Sequence, residues 1–366
     1  MKQGAKKMKP GERKTRLTRR EFLKTSTAAA ATAGLATGLG PVRKARAAET
    51  LVLASWGGFT RAALKEGLIP HFEKKHNVKV QLDIANSAPR FAKLRAQKAN
   101  PQIDVFLSTT EMAYRSIREG LVDKLDLDKL PNAKHVYKWA RRFEEYGPAY
   151  GTHATGIGYH VKNVKEPPTR WEQLWDKKYR GRLALPNITY SSASYFLIRA
   201  AELGGGSIKN IDPGFKKLAE LKPAKVFGFF TQWAPLVKAG EFDLVVDLNL
   251  FINPQIARGL PLGFVFPEDG AFGEVNYVMM TKRGKNRKLA EAFINEMIGA
   301  RFQSANAWIN SQSPTNRAVA IPPELEPKLV YGKNLNRTRY FDDIYIAQHR
   351  DEWTERFNIE VLPKWK

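Results

Sequence analysis

The residues of this chain best able to do chemistry are hydroxyls, tryptophans and isolated acids set at the ends of apolar runs. Ser55-Trp56-Gly57 follows the β-leaning run 50–55, and Ser108-Thr109-Thr110 follows the buried run 103–107. In open α/β sheets ligands collect outside the carboxyl ends of strands, where helix N-termini present free N–H groups. Ser191 and Ser192 lead into a helical run. Hydroxyls there suit a carboxylate or phosphate, and they equally suit plain capping of the helix. Asp247 follows Leu244-Val245-Val246. A buried acid at that point needs a partner or a cationic ligand to offset desolvation, or else it caps the segment that follows.

Spacings that carry catalysis are missing. The six histidines form no HExxH, no G-x-S-x-G occurs, Gly156-Ile157-Gly158 lacks the third glycine of a dinucleotide loop, and Gly284-Lys285 is followed by Asn286 with no phosphate loop before it. With no cysteine there is no disulfide, thiolate metal site or cysteine nucleophile. Binding without cofactor or metal is the expectation. An exported hydrolase with a dispersed active site is the competing class.

Thr18-Arg19-Arg20-Glu21-Phe22-Leu23-Lys24, then a mild Ala/Thr/Gly run over 25–40 and the small-x-small site Ala45-Arg46-Ala47, resemble a twin-arginine export signal. Cleavage after Ala47 is expected, with the chain delivered to the periplasm by the twin-arginine translocase. The run is shorter than the ~20 residues a spanning helix needs, so a retained anchor is the lesser reading. Residues 1–47 carry 13 Lys and Arg against two Glu, which leaves +13 of the whole chain's +24 on the remainder. Those charges are dispersed among acids, which argues against nucleic acid and for an anionic membrane surface or acidic partner.

The elements that position the hydroxyls and acids alternate. Strand patterns at 50–55, 78–84, 103–107, 181–185 and 244–247 are interleaved with helical patterns at 61–75, 88–99, 111–119, 193–203 and 215–221, and two more β-rich stretches cover 150–161 and 274–280. This predicts an α/β fold with mostly parallel sheets flanked by helices. Repeats and low-complexity linkers are absent, so two lobes would have to share the chain by crossing between them.

Ser55-Trp56-Gly57-Gly58, Tyr159, Trp171-Glu172-Gln173-Leu174-Trp175, Lys178-Tyr179-Arg180-Gly181, Gly240-Glu241-Phe242-Asp243, Gly259-Leu260-Pro261-Leu262, Phe266-Pro267-Glu268-Asp269-Gly270 and Ser313-Pro314-Thr315-Asn316, in that order and spacing, resemble extracellular solute-binding proteins of ABC importers, of the spermidine/putrescine-binding type. The resemblance spans nearly all of the chain after residue 47. It implies a two-lobe periplasmic binding protein fold (type II), with 48–150 plus 272–310 as one lobe and 151–271 plus 311–366 as the other. It also implies a monomer that closes on a small molecule by hinge motion and then engages a membrane permease. Ligand contacts are implied at Ser55, Trp56, Gly57, Ser108, Thr109, Thr110, Tyr190, Ser191, Ser192, Trp233, Asp247, Glu274 and Asn276. The family grips ammonium groups with carboxylates and lines the methylene chain with aromatics. Asp247, Glu274 and Asn276 stand where aromatics and an aspartate are common. Asp247 and Glu274 would still hold an ammonium, with Trp56 or Trp233 adding a cation–π contact of ~0.5–2 kcal/mol. Ser191 and Ser192 favour an acid group, so polyamine, zwitterionic and anionic ligands such as an amino acid, aminophosphonate or thiamine-like compound all stay open.

Overall fold

The computed structural model describes residues 49–143 and 145–365, so the expected export signal lies outside the described residues. Strand β1 (Glu49–Ser55) is followed by α1 (Gly58–Gly67) and α2 (Ile69–His76), two helices where the pattern predicts one over 61–75. Pro70 lacks the N–H that would continue α1, and Leu68 leaves helical geometry at φ −125°, ψ −60°. Gly58 opens α1 at φ +58°, a left-handed value that a side chain would strain. Next come β2 (Val78–Ile84), α3 (Ser87–Ala96), β3 (Val105–Thr109) and α4 (Thr110–Arg118). Because β1 pairs in parallel with both β2 and β3, their carboxyl ends lie along one edge.

Two long strands join the lobes. β4 (Ala149–His160) leads into β5 (Leu183–Pro186), α5 (Ser191–Leu203), α6 (Asp212–Ala219), β6 (Lys225–Phe227), α7 (Ala234–Ala239), β7 (Leu244–Leu248), α8 (Asn249–Ala257) and β8 (Leu262–Val265), and β9 (Ala271–Met280) returns. β9 pairs with β3 through Asn276–Met280 and with β4 through Phe272–Tyr277; past Thr155, β4 pairs instead with β7 and β8. The sheet order is β2-β1-β3-β9-β4-β7-β5-β6, with β8 beside β4. Among the described strands the antiparallel pairings all involve β4 or β9 and the other pairings are parallel, which bears out the mostly parallel, two-lobe α/β fold.

The remaining elements are α9 (Arg287–Met297), α10 (Ala300–Asn310), α11 (Lys333–Arg337), β10 (Thr338–Arg339) beside β9, and α12 (Asp343–Glu360). Helix α12 gives no clear apolar stripe in the sequence because it is contacted from several sides, by α4 of the first lobe and by α5 and α6 of the second. Its Ile346, Trp353 and Phe357 enter the second lobe's core with Trp171 and Phe196. That core is tied to β9 by Trp171, which stacks on Phe272 at 4.4 Å and donates its indole N–H to the Gly270 carbonyl at 2.7 Å. Phe59 of α1 joins a second cluster with Phe227, Phe230 and Trp233. Its ring stacks on Phe230 at 5.7 Å and lies 4.5 Å from the Arg258 guanidinium, so the lobes touch along this side.

Candidate functional site

Thr109, Thr110 and Glu111 from the first lobe, Glu274 and Val275 from the crossing strand β9, and Ser191, Tyr195, Asp343, Ile346 and Arg350 from the second lobe enclose a cavity of ≈ 20 Å³. That is room for about one water. Of the sequence-predicted residues, Thr109, Thr110, Ser191 and Glu274 meet here.

The wall is acidic. Glu274 is buried, with Oε1 lacking a hydrogen-bond partner among the described residues and Oε2 lying 3.8 Å from His153 Nε2. Asp343 accepts a hydrogen bond from the Tyr195 hydroxyl at 2.6 Å. Burial raises its pKa to about 6, the Tyr195 bond pulls it back, and the nearby Glu274 charge adds to the rise. Asp247 is fully buried behind them and accepts from Trp233 Nε1 at 2.7 Å and from the Leu248 amide at 2.7 Å. Burial pushes it up to about 7 against those two donors, and Glu274 again adds to the rise. The Tyr190 hydroxyl stands near this carboxylate without a hydrogen bond of ordinary geometry, so it acts on Asp247 as a neighbouring dipole and not as a made bond. Glu274 thus adds to the rise at both buried aspartates, an arrangement that a cation placed beside it relieves.

The other predicted residues take different places. Asp247 does not cap α8, whose N-cap is Leu248. Trp233 lies wholly within the second lobe's core, its N–H spent on Asp247. Neither Ser191 nor Ser192 caps α5, which has Tyr190 as its N-cap and no side-chain cap bond; Ser192 Oγ is buried without a partner among the described residues. Thr109 does cap α4, accepting from the Met112 amide at 3.3 Å. Ser108 and Ser55 turn their hydroxyls onto the next residue's carbonyl. Gly57 is the N-cap of α1. Trp56 donates to Ser87 Oγ at 3.1 Å and carries the Arg90 guanidinium 4.2 Å over its ring.

Asn276 belongs to a relay in the cleft floor. Asn310 donates to Asn306, Asn306 to Gln312 Oε1 at 2.8 Å, and Gln312 Nε2 to Asn276 Oδ1 at 2.6 Å, with His153 Nδ1 at 3.4 Å from the same nitrogen. Gly151 of β4 makes this packing possible, since a Cβ there would lie 2.5 Å from the Gln312 side chain. The bonds end at Asn276 and at the Gln312–His153 contact, and His153 Nε2 lies 3.8 Å from Glu274 Oε2, beyond hydrogen-bond distance.

Sequence reasoning missed Asp343, Tyr195, Glu111 and Arg350. Asp343 follows Asp342, which caps α12 by accepting from the Ile344 and Tyr345 amides, and this acidic start to a helix is the signal that was available. Arg350 and Glu111 pair across the cleft at 3.4 Å, and Arg350 also donates to the Thr189 carbonyl at 3.1 Å. A half-exposed pair contributes ~0.2–1 kcal/mol. Glu111→Gln is therefore expected to lower solute affinity about two- to fivefold by weakening the closed form, and titration calorimetry at low and high salt checks it; equal affinities at low salt would remove the latch role.

Comparison with known proteins adds three findings. Residues 100–342 match the family described as bacterial extracellular solute-binding protein. The spermidine/putrescine-binding periplasmic protein 1 of Haemophilus influenzae is 24% identical over 266 residues, covering 70% of this chain and 72% of that one, and the spermidine/putrescine-binding periplasmic protein of Escherichia coli is 26% identical over 263 residues, covering 68% and 72%. The solved structure of an ABC transporter from Clostridium perfringens superposes with a TM-score of 0.71 at 29% identity, covering 85% of this chain and 99% of that one.

Proposed function

Because this chain belongs to the bacterial extracellular solute-binding proteins, we propose that it captures an amine-bearing solute between its lobes in the periplasm and presents it to the membrane permease of an ABC importer. The observation that carries the ligand class is the unpartnered buried Oε1 of Glu274, flanked by Asp343 and Asp247. A primary ammonium there gains charge-assisted hydrogen bonds and offsets the charge that Glu274 exerts on the two aspartates. The polyamines in the relatives' names belong to the same chemical class.

In this reading the lobes comprise 48–150 with 272–310 and 151–271 with 311–366, and β4 and β9 are the hinge strands. Thr109, Thr110 and Ser191 serve the solute's hydrogen bonds, while Asp247, with Tyr190 and Trp233, shapes the electrostatics from behind. The chain works as a monomer after twin-arginine export and cleavage near Ala47.

Thermal unfolding against a panel of polyamines, amino acids, thiamine, aminophosphonates, organic acids and ferric ion tests this. A compound at 100 times its Kd stabilises the native state by ~2.7 kcal/mol. Amine-bearing compounds are expected to shift the midpoint upward, and more at pH 8 than at pH 5.5, because Asp343 and Asp247 ionise between those values. Shifts confined to compounds lacking an amine would overturn the reading.

A further inference from the structure

The first lobe holds a buried cation that the proposed ammonium site does not use. Arg90, in the first turn of α3, is 1% exposed, and its Nε and Nη2 have no hydrogen-bond partner among the described residues. Nη1 reaches the Ala85 carbonyl only at 3.4 Å. The nearby titratable groups are the Tyr150 phenol and the Asp83 carboxylate, and Asp83 is paired with Lys93. Burying a guanidinium is costly, and stacking on Trp56 with one long hydrogen bond offsets only part of that cost. Such a charge calls for an anion.

Its place is the ligand-facing edge of the lobe. Trp56 follows the carboxyl end of β1, Ala85 follows that of β2, and Tyr150 lies beside Gly151, against which Gln312 packs as it donates to Asn276, two residues along β9 from Glu274. Arg90 also stands over the Trp56 ring, where it would repel a ligand ammonium seeking that face. A diamine with an ammonium at both ends therefore suits the second lobe and not the first.

We infer that Arg90, backed by Trp56, is an anion subsite that receives a carboxylate of the solute, so that the ligand is zwitterionic, with its ammonium at Glu274 and Asp343 and its acid group at Arg90. This rests on the amine reading for the ammonium end only.

The test is titration calorimetry of the full chain with straight-chain diamines, aminocarboxylates, dicarboxylates and monoamines of two to six carbons. Aminocarboxylates are expected to bind about tenfold or more tighter than diamines of equal length. Arg90→Met should abolish that preference without weakening diamines, and Arg90→Lys, which keeps the charge but loses the planar fork, should retain part of it. Since the buried charge is costly when alone, Arg90→Met should match or exceed the ligand-free wild type in denaturant midpoint. Diamines that bind as tightly as aminocarboxylates, or an Arg90→Met protein that keeps the preference, would overturn the subsite while leaving the amine reading standing. Dicarboxylates that bind through Arg90 while no amine binds would uphold the subsite and remove the amine reading. If no probe binds, the subsite and the amine reading both fall, and an Arg90→Met protein less stable than wild type then makes Arg90 structural.

Discussion

Glu274→Gln is expected to weaken binding of an amine-bearing solute by about 2–5 kcal/mol, roughly 30-fold or more, because it removes one partner of a buried charge-assisted contact. The change is nearly isosteric, so the cavity and the His153 side of the relay keep their shape. Protein without solute should be no less stable, since Glu274 carries an unpartnered buried oxygen beside two other acids. Asp343→Asn should cost less affinity, because one of its oxygens already accepts from Tyr195. Asp247→Asn should cost least, because both its oxygens already accept from protein donors. Calorimetry ranks the three variants. Unchanged affinity in Glu274→Gln would discard the ammonium assignment, and a larger loss in Asp247→Asn would move the contact to the second lobe's interior.

Raising the pH from about 5 to 7.5 should destabilise the ligand-free protein by on the order of a few kcal/mol. Asp247, raised to about 7, and Asp343, raised to about 6, hold protons in the folded state that they release in the unfolded chain near pH 4. The unfolded state thus binds fewer protons in this window. Stability is highest below it and is lost as pH rises toward the folded values. Asp243 and Glu202, held low by Arg182 and by Arg339 with Arg199, act with the opposite sign mainly below the window, and His71 and His76, held low chiefly by burial, offset part of the decline within it. Urea midpoints between pH 5 and 7.5 should show the decline in the wild type and a flatter profile in Asp247→Asn. A wild type whose midpoint rises across this range would contradict buried, proton-holding carboxylates. Saturating amine should flatten the profile too, because a bound cation favours the ionised acids.

The local pattern of the chain was enough to place most strands and helices and the two-lobe crossing, because alternating apolar runs and turn residues act over a few neighbours. Ser55-Trp56-Gly57 and Ser108 to Thr110 were legible at strand ends for the same reason. Three things were decided only by tertiary contact. Helix α12, packed from several sides, shows no stripe, so Asp343 and Arg350 went unseen until the fold brought them opposite Thr110 and Glu111. Trp233 and Asp247 bond each other inside the second lobe, a pairing invisible in the sequence because which side of a strand faces a cleft depends on what packs above it. Arg90 reads as an ordinary helix-surface residue in sequence. Only the closing of α3 over Trp56 and β4 strips it of water and makes it a charge in want of a partner.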